Sequence, residues 1–380
     1  MDAVKMSSPL DGYKRLTIKI GSSLLIDAQT GRLRQEWLNS LATDIASLRE
    51  QNKEIIVVSS GAILLGRRLL GITTKTLPLS KIQATASVGQ VALAQAWRTA
   101  LDPHNITIGQ ILLTPNITEE RQYYINARAT ISTLISFGSV PIINENDSVA
   151  TAEIRYGDND RLSARVASML GADCLILLSD VDGLYTAPPE TNKNARHLAR
   201  VETINADIER MARGPASFLA RGGMVTKIEA AKIATQSGTA MIITMGNDHH
   251  PLKQLSNGAR HTIFSASQSP AAARKRWILA TLDIAGTISV DHGAAQALLS
   301  GKSLLPIGVV KVTGDFLRGD AVSIVGPDNK EIARGLAGMN KDDAKQALGK
   351  KSPAIVGMFG NTSRTEMVHA DNLVLLSSPD

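Results

Sequence analysis

The sequence predicts an α/β protein, an open and mostly parallel sheet with helices on both faces, followed by a small β-rich domain. Strand-like and helix-like patterns alternate from about residue 14, the order that builds a parallel sheet. Hydrophobic residues make up 43% of the 380 residues but aromatics only 3%, so the core must rest on Leu, Ile, Val and Ala, as buried parallel strands require. Near residue 264 the pattern shifts to short strand-like runs separated by Gly, Asp and Pro.

Residues 1–13 are short, polar and without periodicity, and read as a flexible tail. Leu16-Thr-Ile-Lys-Ile20 is a strand. Trp37, Leu41, Ile45 and Leu48 recur at helical spacing and give one apolar face. Ile55-Ile-Val-Val58 is a buried strand ending at Ser59-Ser60-Gly61. The Ala-rich stretch from Lys81 to Leu101 is helical, Ile106 to Leu113 a strand, Arg121 to Phe137 a helix, and Val140-Pro-Ile-Ile143 a strand. Arg161 to Leu170 and Met224 to Ser237 read as helices, Cys174 to Leu178 as a strand, and Ala240-Met-Ile-Ile-Thr244 as the closing strand. Residues 14–263 thus form one domain. The small, polar and then basic stretch 264–276 reads as a linker, and residues 277–372 as the β-rich domain, with strands at Gly286–Val290, Val309–Val312 and Ala321–Val325.

The formal charge of +6 is modest and suits phosphate-bearing ligands, RNA or nothing specific. The scarcity of aromatics argues against single-strand recognition by base stacking. Cys174 is the single cysteine; lying in an aliphatic run, it reads as a buried structural thiol with no disulfide partner. The start lacks an apolar signal region and no run of about 18 apolar residues occurs, so a soluble cytoplasmic protein is expected.

In open α/β sheets, ligands bind beyond the carboxyl ends of the strands. Polar clusters follow the predicted strands at Lys19-Ile-Gly-Ser-Ser23, Ser59-Ser-Gly-Ala62, Asn144-Glu-Asn-Asp147, Ser179-Asp-Val-Asp-Gly183 and Thr244-Met-Gly-Asn247. Each alone is an ordinary turn composition; their shared location points to a site. Lys19 beside a glycine turn can balance a phosphate cradled by backbone N–H groups, or be a plain strand-end lysine. Ser60 and its neighbours suit an anion or amide at a helix N-terminus, or simply cap that helix. Gly157-Asp158-Asn159-Asp160 precedes a helix and holds more acid and amide groups than one cap needs. With Asn144–Asp147 it can bind an ammonium group or a metal, and without nearby His or Cys a transition metal is improbable. Mg²⁺ carried on nucleotide phosphates is the better expectation. Arg221-Gly222-Gly223-Met224-Val225-Thr226-Lys227 opens a helix with a glycine pair, where backbone approaches a phosphate and Lys227 reaches the transferring group; a flexible loop with a surface lysine is the alternative. Gly301-Lys-Ser303 is not a P-loop, because Gln296 stands where the first glycine belongs.

Together these clusters resemble the amino acid kinase family, and within it the branch acting on glutamate. The marks are Lys19-Ile-Gly-Ser-Ser, Ser59-Ser-Gly-Ala, Val140 to Ala150, Gly157 to Ala164, Asp180-Val-Asp-Gly-Leu-Tyr-Thr186 and Gly222 to Lys227. Leu304-Leu-Pro-Ile-Gly308 and Gly314 to Asp320 are similar to a PUA domain. The resemblance runs from about residue 14 to about residue 370. It implies an amino acid kinase fold and ATP-dependent phosphorylation of the glutamate side-chain carboxylate to L-glutamyl 5-phosphate, the first step of proline biosynthesis.

The resemblance also implies roles. Lys19 and Lys227 would neutralise the phosphoryl group, and Asp160 would orient both lysines. Ser60, Asp147 and Asn159 would hold glutamate, with Asp158 close by. ATP would meet Lys19, Ser179, Asp180 and the loop Arg221, Gly222, Gly223, Met224, Val225, Thr226, Lys227. Expected partners are ATP, Mg²⁺ and glutamate, a homo-oligomer (dimer or tetramer) and coupling to a glutamyl phosphate reductase. The chain departs from the family at Arg221, where a small residue is usual, at Ser179, where threonine is common, and in its longer tail.

A carboxylate is ionised at neutral pH and needs no general base to attack, so positioning and charge neutralisation should carry the reaction. Rival readings are kinases of acetylglutamate, aspartate, carbamate or UMP, and an RNA-binding protein acting through the PUA-like domain. Arg274-Lys-Arg276 gives the last slight support, though such a run is more often a solvated linker.

Overall fold

The computed structural model describes residues 8–27, 29–74, 76–114, 121–149, 159–212, 223–280, 283–360 and 365–376. By its contacts the chain divides into two compact units, Met1–Glu119 with Asn126–Pro270, and Glu120–Ile125 with Ala271–Asp380.

In the first unit, β1 (Arg15–Ile20) leads through the single turn α1 (Ser22–Leu25) to α2 (Gln35–Glu50), whose Trp37, Leu38, Leu41, Ile45 and Leu48 are buried as the helical spacing predicts. Then come β2 (Glu54–Ser59), α3 (Ala62–Leu69), α4 (Leu79–Leu101), β3 (Ile108–Leu113), α5 (Arg121–Ser136, counted with this unit from Asn126 onward) and β4 (Val140–Glu145). α6 (Asn159–Leu170) precedes β5 (Cys174–Ser179), and the short strands β6 (Leu184–Tyr185), β7 (His197–Leu198) and β8 (Arg200–Val201) follow. The unit ends with α7 (Ala206–Ala212), α8 (Met224–Gln236), β9 (Ala240–Met245), α9 (Pro251–Ser256) and β10 (His261–Phe264).

The eight-stranded sheet has the order β3-β4-β2-β1-β5-β9-β10-β8. The pairs from β3 through to β9 are parallel, and β4 and β5 are buried along their whole length, as aliphatic runs covered on both faces should be. Ala240–Met245 does not close the sheet: β10 pairs antiparallel beside it and β8 lies beyond. The four-residue β10 returns after the six-residue α9, a span too short for periodicity to reveal. The chain lays β2, β3 and β4 to one side of β1, and β5 and β9 to the other. The reversal between β1 and β5 leaves a crevice at their carboxyl ends. On the β2 side, α3 and α4 touch backbone to backbone: a Cβ on Gly89 would stand 1.7 Å from the Ala62 carbonyl oxygen, and one on Gly66 1.9 Å from that of Thr85.

Pro270 opens α10 (Pro270–Ala280), so Ala271–Ala273 and the basic residues after them are helical, within the stretch read from composition as linker. Alanine is the best helix former, and polarity alone does not separate linker from exposed helix. The second unit continues with β11 (Ile284–Val290), α11 (His292–Leu299), β12 (Val309–Gly314), β13 (Ala321–Val325), β14 (Glu331–Leu336), α12 (Lys341–Ala347), α13 (Ser352–Phe359) and β15 (Leu373–Leu375). Its five strands run β12-β11-β13-β14-β15 around a separate core that includes Ile288, Phe316, Val322 and Ile324. Arg274 is committed within this unit, donating to the Asp371 carbonyl at 3.2 Å and to Asn372 Oδ1 at 2.7 Å. No helix among the described residues is long and apolar enough to cross a membrane.

Candidate active site

A cleft of about 710 Å³ opens at the carboxyl ends of β1, β2, β4 and β5. Each strand hands it a polar residue where its aliphatic run stops: Lys19 from β1, Ser60 just after β2, Asn144 and Glu145 from β4, and Ser179 with Asp180 from β5. The helices α6 and α8 start beside these strand ends and bring Asn159, Asp160 and Lys227.

Asp160 joins the two lysines. Its Oδ1 lies 2.5 Å from Lys19 Nζ and its Oδ2 3.5 Å from Lys227 Nζ. Thr226 Oγ1 lies 2.9 Å from both Asp160 Oδ2 and the Gly223 carbonyl, so it can donate to either. Asp160 is 2% exposed and Lys227 5%. Burial pushes the Asp160 carboxyl upward, but the ammonium groups of Lys19 and Lys227 outweigh it and hold the group below the ordinary carboxylate range. Three charges thus share a nearly dry floor, where they are worth far more than at a surface.

On the α8 side, Gly223 is the N-cap with extended backbone and no side chain caps the helix. Met224 and Val225 pack against the core around Ala230, Ile228 and Leu177, so Lys227 is the side chain this turn sends to the cleft; the first N–H groups of a helix have no partner within the helix itself. Ser179 Oγ donates to Asp180 Oδ1 at 3.0 Å, at the mouth of the same side. Arg221, Gly222 and Asp158 lie outside the described residues.

On the β2 side, Ser60 does not cap α3. The N-cap is Gly61 at φ 114°, with no side-chain cap bond; a side chain there would be strained and would meet Ile26 Cδ1 at 3.1 Å. Ser60 Oγ instead accepts from Asn159 Nδ2 at 2.5 Å. Asn159 Nδ2 also donates to Asn144 Oδ1 at 3.0 Å, and Asn144 Nδ2 to Gln90 Oε1 at 2.8 Å. Asn159 opens α6, two residues before the helix start expected near Arg161, because Asn159 and Asp160 are buried against the ends of the central strands and do not cap from outside. Asp147 lines the cleft half-buried, and burial raises its carboxyl to about 6.

The cleft therefore has two walls over one charged floor. One is the start of α8 with a serine-aspartate pair beside it. The other is an amide and carboxylate pocket whose rim is apolar through Leu64, Leu77 and Ile82. Sequence reading reached the residues at strand ends. It missed Gln90 and the apolar rim from α3, the residues before α4 and its start, which carry only the marks of ordinary helix and loop residues.

The amino acid kinase family model matches residues 14–245, and the PUA domain model residues 286–358. The chain is 57% identical over 371 residues to "Glutamate 5-kinase 1" of Rhizobium meliloti (strain 1021), across 98% of this chain and 94% of that protein. It is 56% identical to "Glutamate 5-kinase" of Sinorhizobium fredii (strain NBRC 101917 / NGR234), across 97% and 93%. It is 54% identical to "Glutamate 5-kinase" of Bradyrhizobium sp. (strain BTAi1 / ATCC BAA-1182), across 97% and 98%.

Proposed function

The chain belongs to the amino acid kinase family, and from that premise we propose that it transfers the γ-phosphoryl group of ATP to the side-chain carboxylate of glutamate, giving glutamyl 5-phosphate and ADP, as the names of its relatives indicate. The observation that carries this reading is Asp160 holding Lys19 and Lys227 on the floor between the two walls. The α8 start with Ser179 and Asp180 takes the nucleotide. The pocket of Ser60, Asn159 and Asp147 takes glutamate.

Transfer then needs no base at the attacking oxygen, since the acceptor carboxylate is already ionised. The protein must bring that oxygen in line with the γ-phosphorus and offset the charge that builds on the equatorial oxygens. Lys19 and Lys227 do the offsetting, Asp160 keeps their ammonium groups at the right height, and the N–H groups of the α8 turn hold the phosphates. Both Asp160 oxygens face these cations, and no group of three or more His, Cys, Asp or Glu side chains among the described residues could form a metal cage. Mg²⁺ fits as an ion carried on the ATP phosphates, where it supplies further charge neutralisation.

The test is a substrate panel in an ATP-dependent hydroxamate assay with glutamate, acetylglutamate and aspartate. Glutamate should be the strongly preferred acceptor. Preference for acetylglutamate or aspartate would reassign the pocket.

A further inference from the structure

The acceptor pocket ends in a chain of three amides, Asn159, Asn144 and Gln90, the last of which does not line the cleft. We propose that Gln90, in the middle of α4, is a positioning residue for glutamate: it fixes which way the Asn144 and Asn159 amides face. This deepens, and rests on, the glutamate kinase reading.

A side-chain amide donates only from nitrogen and accepts only at oxygen. Gln90 presents Oε1, so Asn144 must turn Nδ2 toward it, at 2.8 Å. Asn144 then has only Oδ1 to offer on its other side, and Asn159 meets it with Nδ2 at 3.0 Å. The second N–H of Asn159 goes to Ser60 Oγ at 2.5 Å, with the Ser59 carbonyl at 3.4 Å; that carbonyl can only accept, so it holds Asn159 in the same sense that Gln90 sets from the other end of the chain. Two results follow in the pocket. Asn159 Oδ1 is left as a buried acceptor with no partner among the described residues, on a side chain 4% exposed. Ser60 Oγ already accepts, so its own hydrogen is free to donate outward.

An amino acid zwitterion needs this pair of functions, an acceptor for its ammonium group and a donor for its carboxylate. Asp147 on the same cleft adds negative charge for the ammonium. If the sense at Gln90 were reversed, Asn144 would turn its Nδ2 toward Asn159, and Asn159 would have either to meet it donor to donor or to turn away from the Ser59 carbonyl. Once turned, Asn159 would present N–H groups to the ammonium, and the Ser60 hydrogen would be consumed by Asn159. A buried acceptor without a partner is costly, so the pocket is poised for a ligand that supplies a cationic donor. α4 suits the task because Gly89, next to Gln90, brings it into backbone contact with α3. One helix thus supports both Gly61–Ala62 and Asn144.

Substitutions at Gln90 separate hydrogen-bond sense from shape and charge. Gln90→Met keeps the length and neutrality but removes the acceptor. Gln90→Glu can only accept, so it preserves the sense. KM for glutamate should rise about tenfold in Gln90→Met, the effect of one mis-set hydrogen bond to a charged group. KM for ATP should stay unchanged and kcat should move less than KM. In Gln90→Glu the glutamate KM should return to within about threefold of the parent. An unmoved glutamate KM in Gln90→Met would overturn the relay. So would a Gln90→Glu variant as impaired as Gln90→Met, because side-chain shape would then be the cause. Equal rises in the glutamate and ATP KM values would also overturn it, marking a general packing defect. A parent enzyme that turns over no glutamate would instead overturn the functional reading beneath it.

Discussion

Lys19 and Lys227 approach the same carboxylate from different elements, and their burial makes each hard to replace. Lys227→Ala removes a cation from a floor where water cannot substitute for it. By analogy with lost oxyanion donors, kcat should fall by roughly 10²-fold or more, with little change in glutamate KM. Steady-state kinetics check this, and near-parental turnover would remove Lys227 from the mechanism. Asp147 makes a different kind of prediction. Burial raises its carboxyl to about 6, so it gains a proton as the pH falls through that value and loses its attraction for an ammonium group. The kcat/KM for glutamate should therefore drop on the acid side of about pH 6, while that for ATP stays flatter. In Asp147→Asn the glutamate value should be lower throughout and lose this acid limb. An unchanged limb in that variant would assign the titration elsewhere. Residues of this kind were legible where polarity interrupts an aliphatic strand, as at Lys19, Ser60, Asn144 and Ser179. Gln90 was not, since one glutamine in a helix of mixed residues has nothing in its spacing to mark it.

At the scale of elements, the site depends on how closely α3 and α4 can approach. Gly66 and Gly89 let their backbones touch, and any side chain at Gly89 would enter the space of the Ala62 carbonyl. Gly89→Ala should force the helices apart and cost about 2–3 kcal/mol, the upper range for overpacking. Its melting temperature should fall by several degrees, with glutamate KM more affected than ATP KM because only the acceptor wall rests on this pair. Parental stability would show that the contact can relax. The parallel strands were readable because central strands are buried on both faces and appear as unbroken aliphatic runs, such as Cys174–Ser179. β10 was not readable, because four residues alternate too briefly and its antiparallel sense comes from the short α9 before it. The helix at Pro270–Ala280 was hidden by composition: Ala, Arg and Lys serve an exposed helix as well as a linker.

For the whole molecule, the two units have hydrophobic cores with no member in common. Separate cores favour separate cooperative unfolding. Scanning calorimetry should resolve two transitions. ADP at about a hundredfold excess over its Kd adds about 2.7 kcal/mol to the unit that binds it, which should raise one transition by about 5–10 °C and leave the other in place. A single transition that moves as a whole would mean the units unfold together. The lysine–aspartate–lysine floor has a consequence for how such a unit comes to exist at all. Two ammonium groups crowded into a dry crevice would repel, and a newly made chain holding them would have to wait for a phosphate before it could close. Asp160 fills that role as a resident anion, an understudy for the phosphoryl group. The crevice can therefore form in an empty protein, and an arriving nucleotide finds cations that need only change partners.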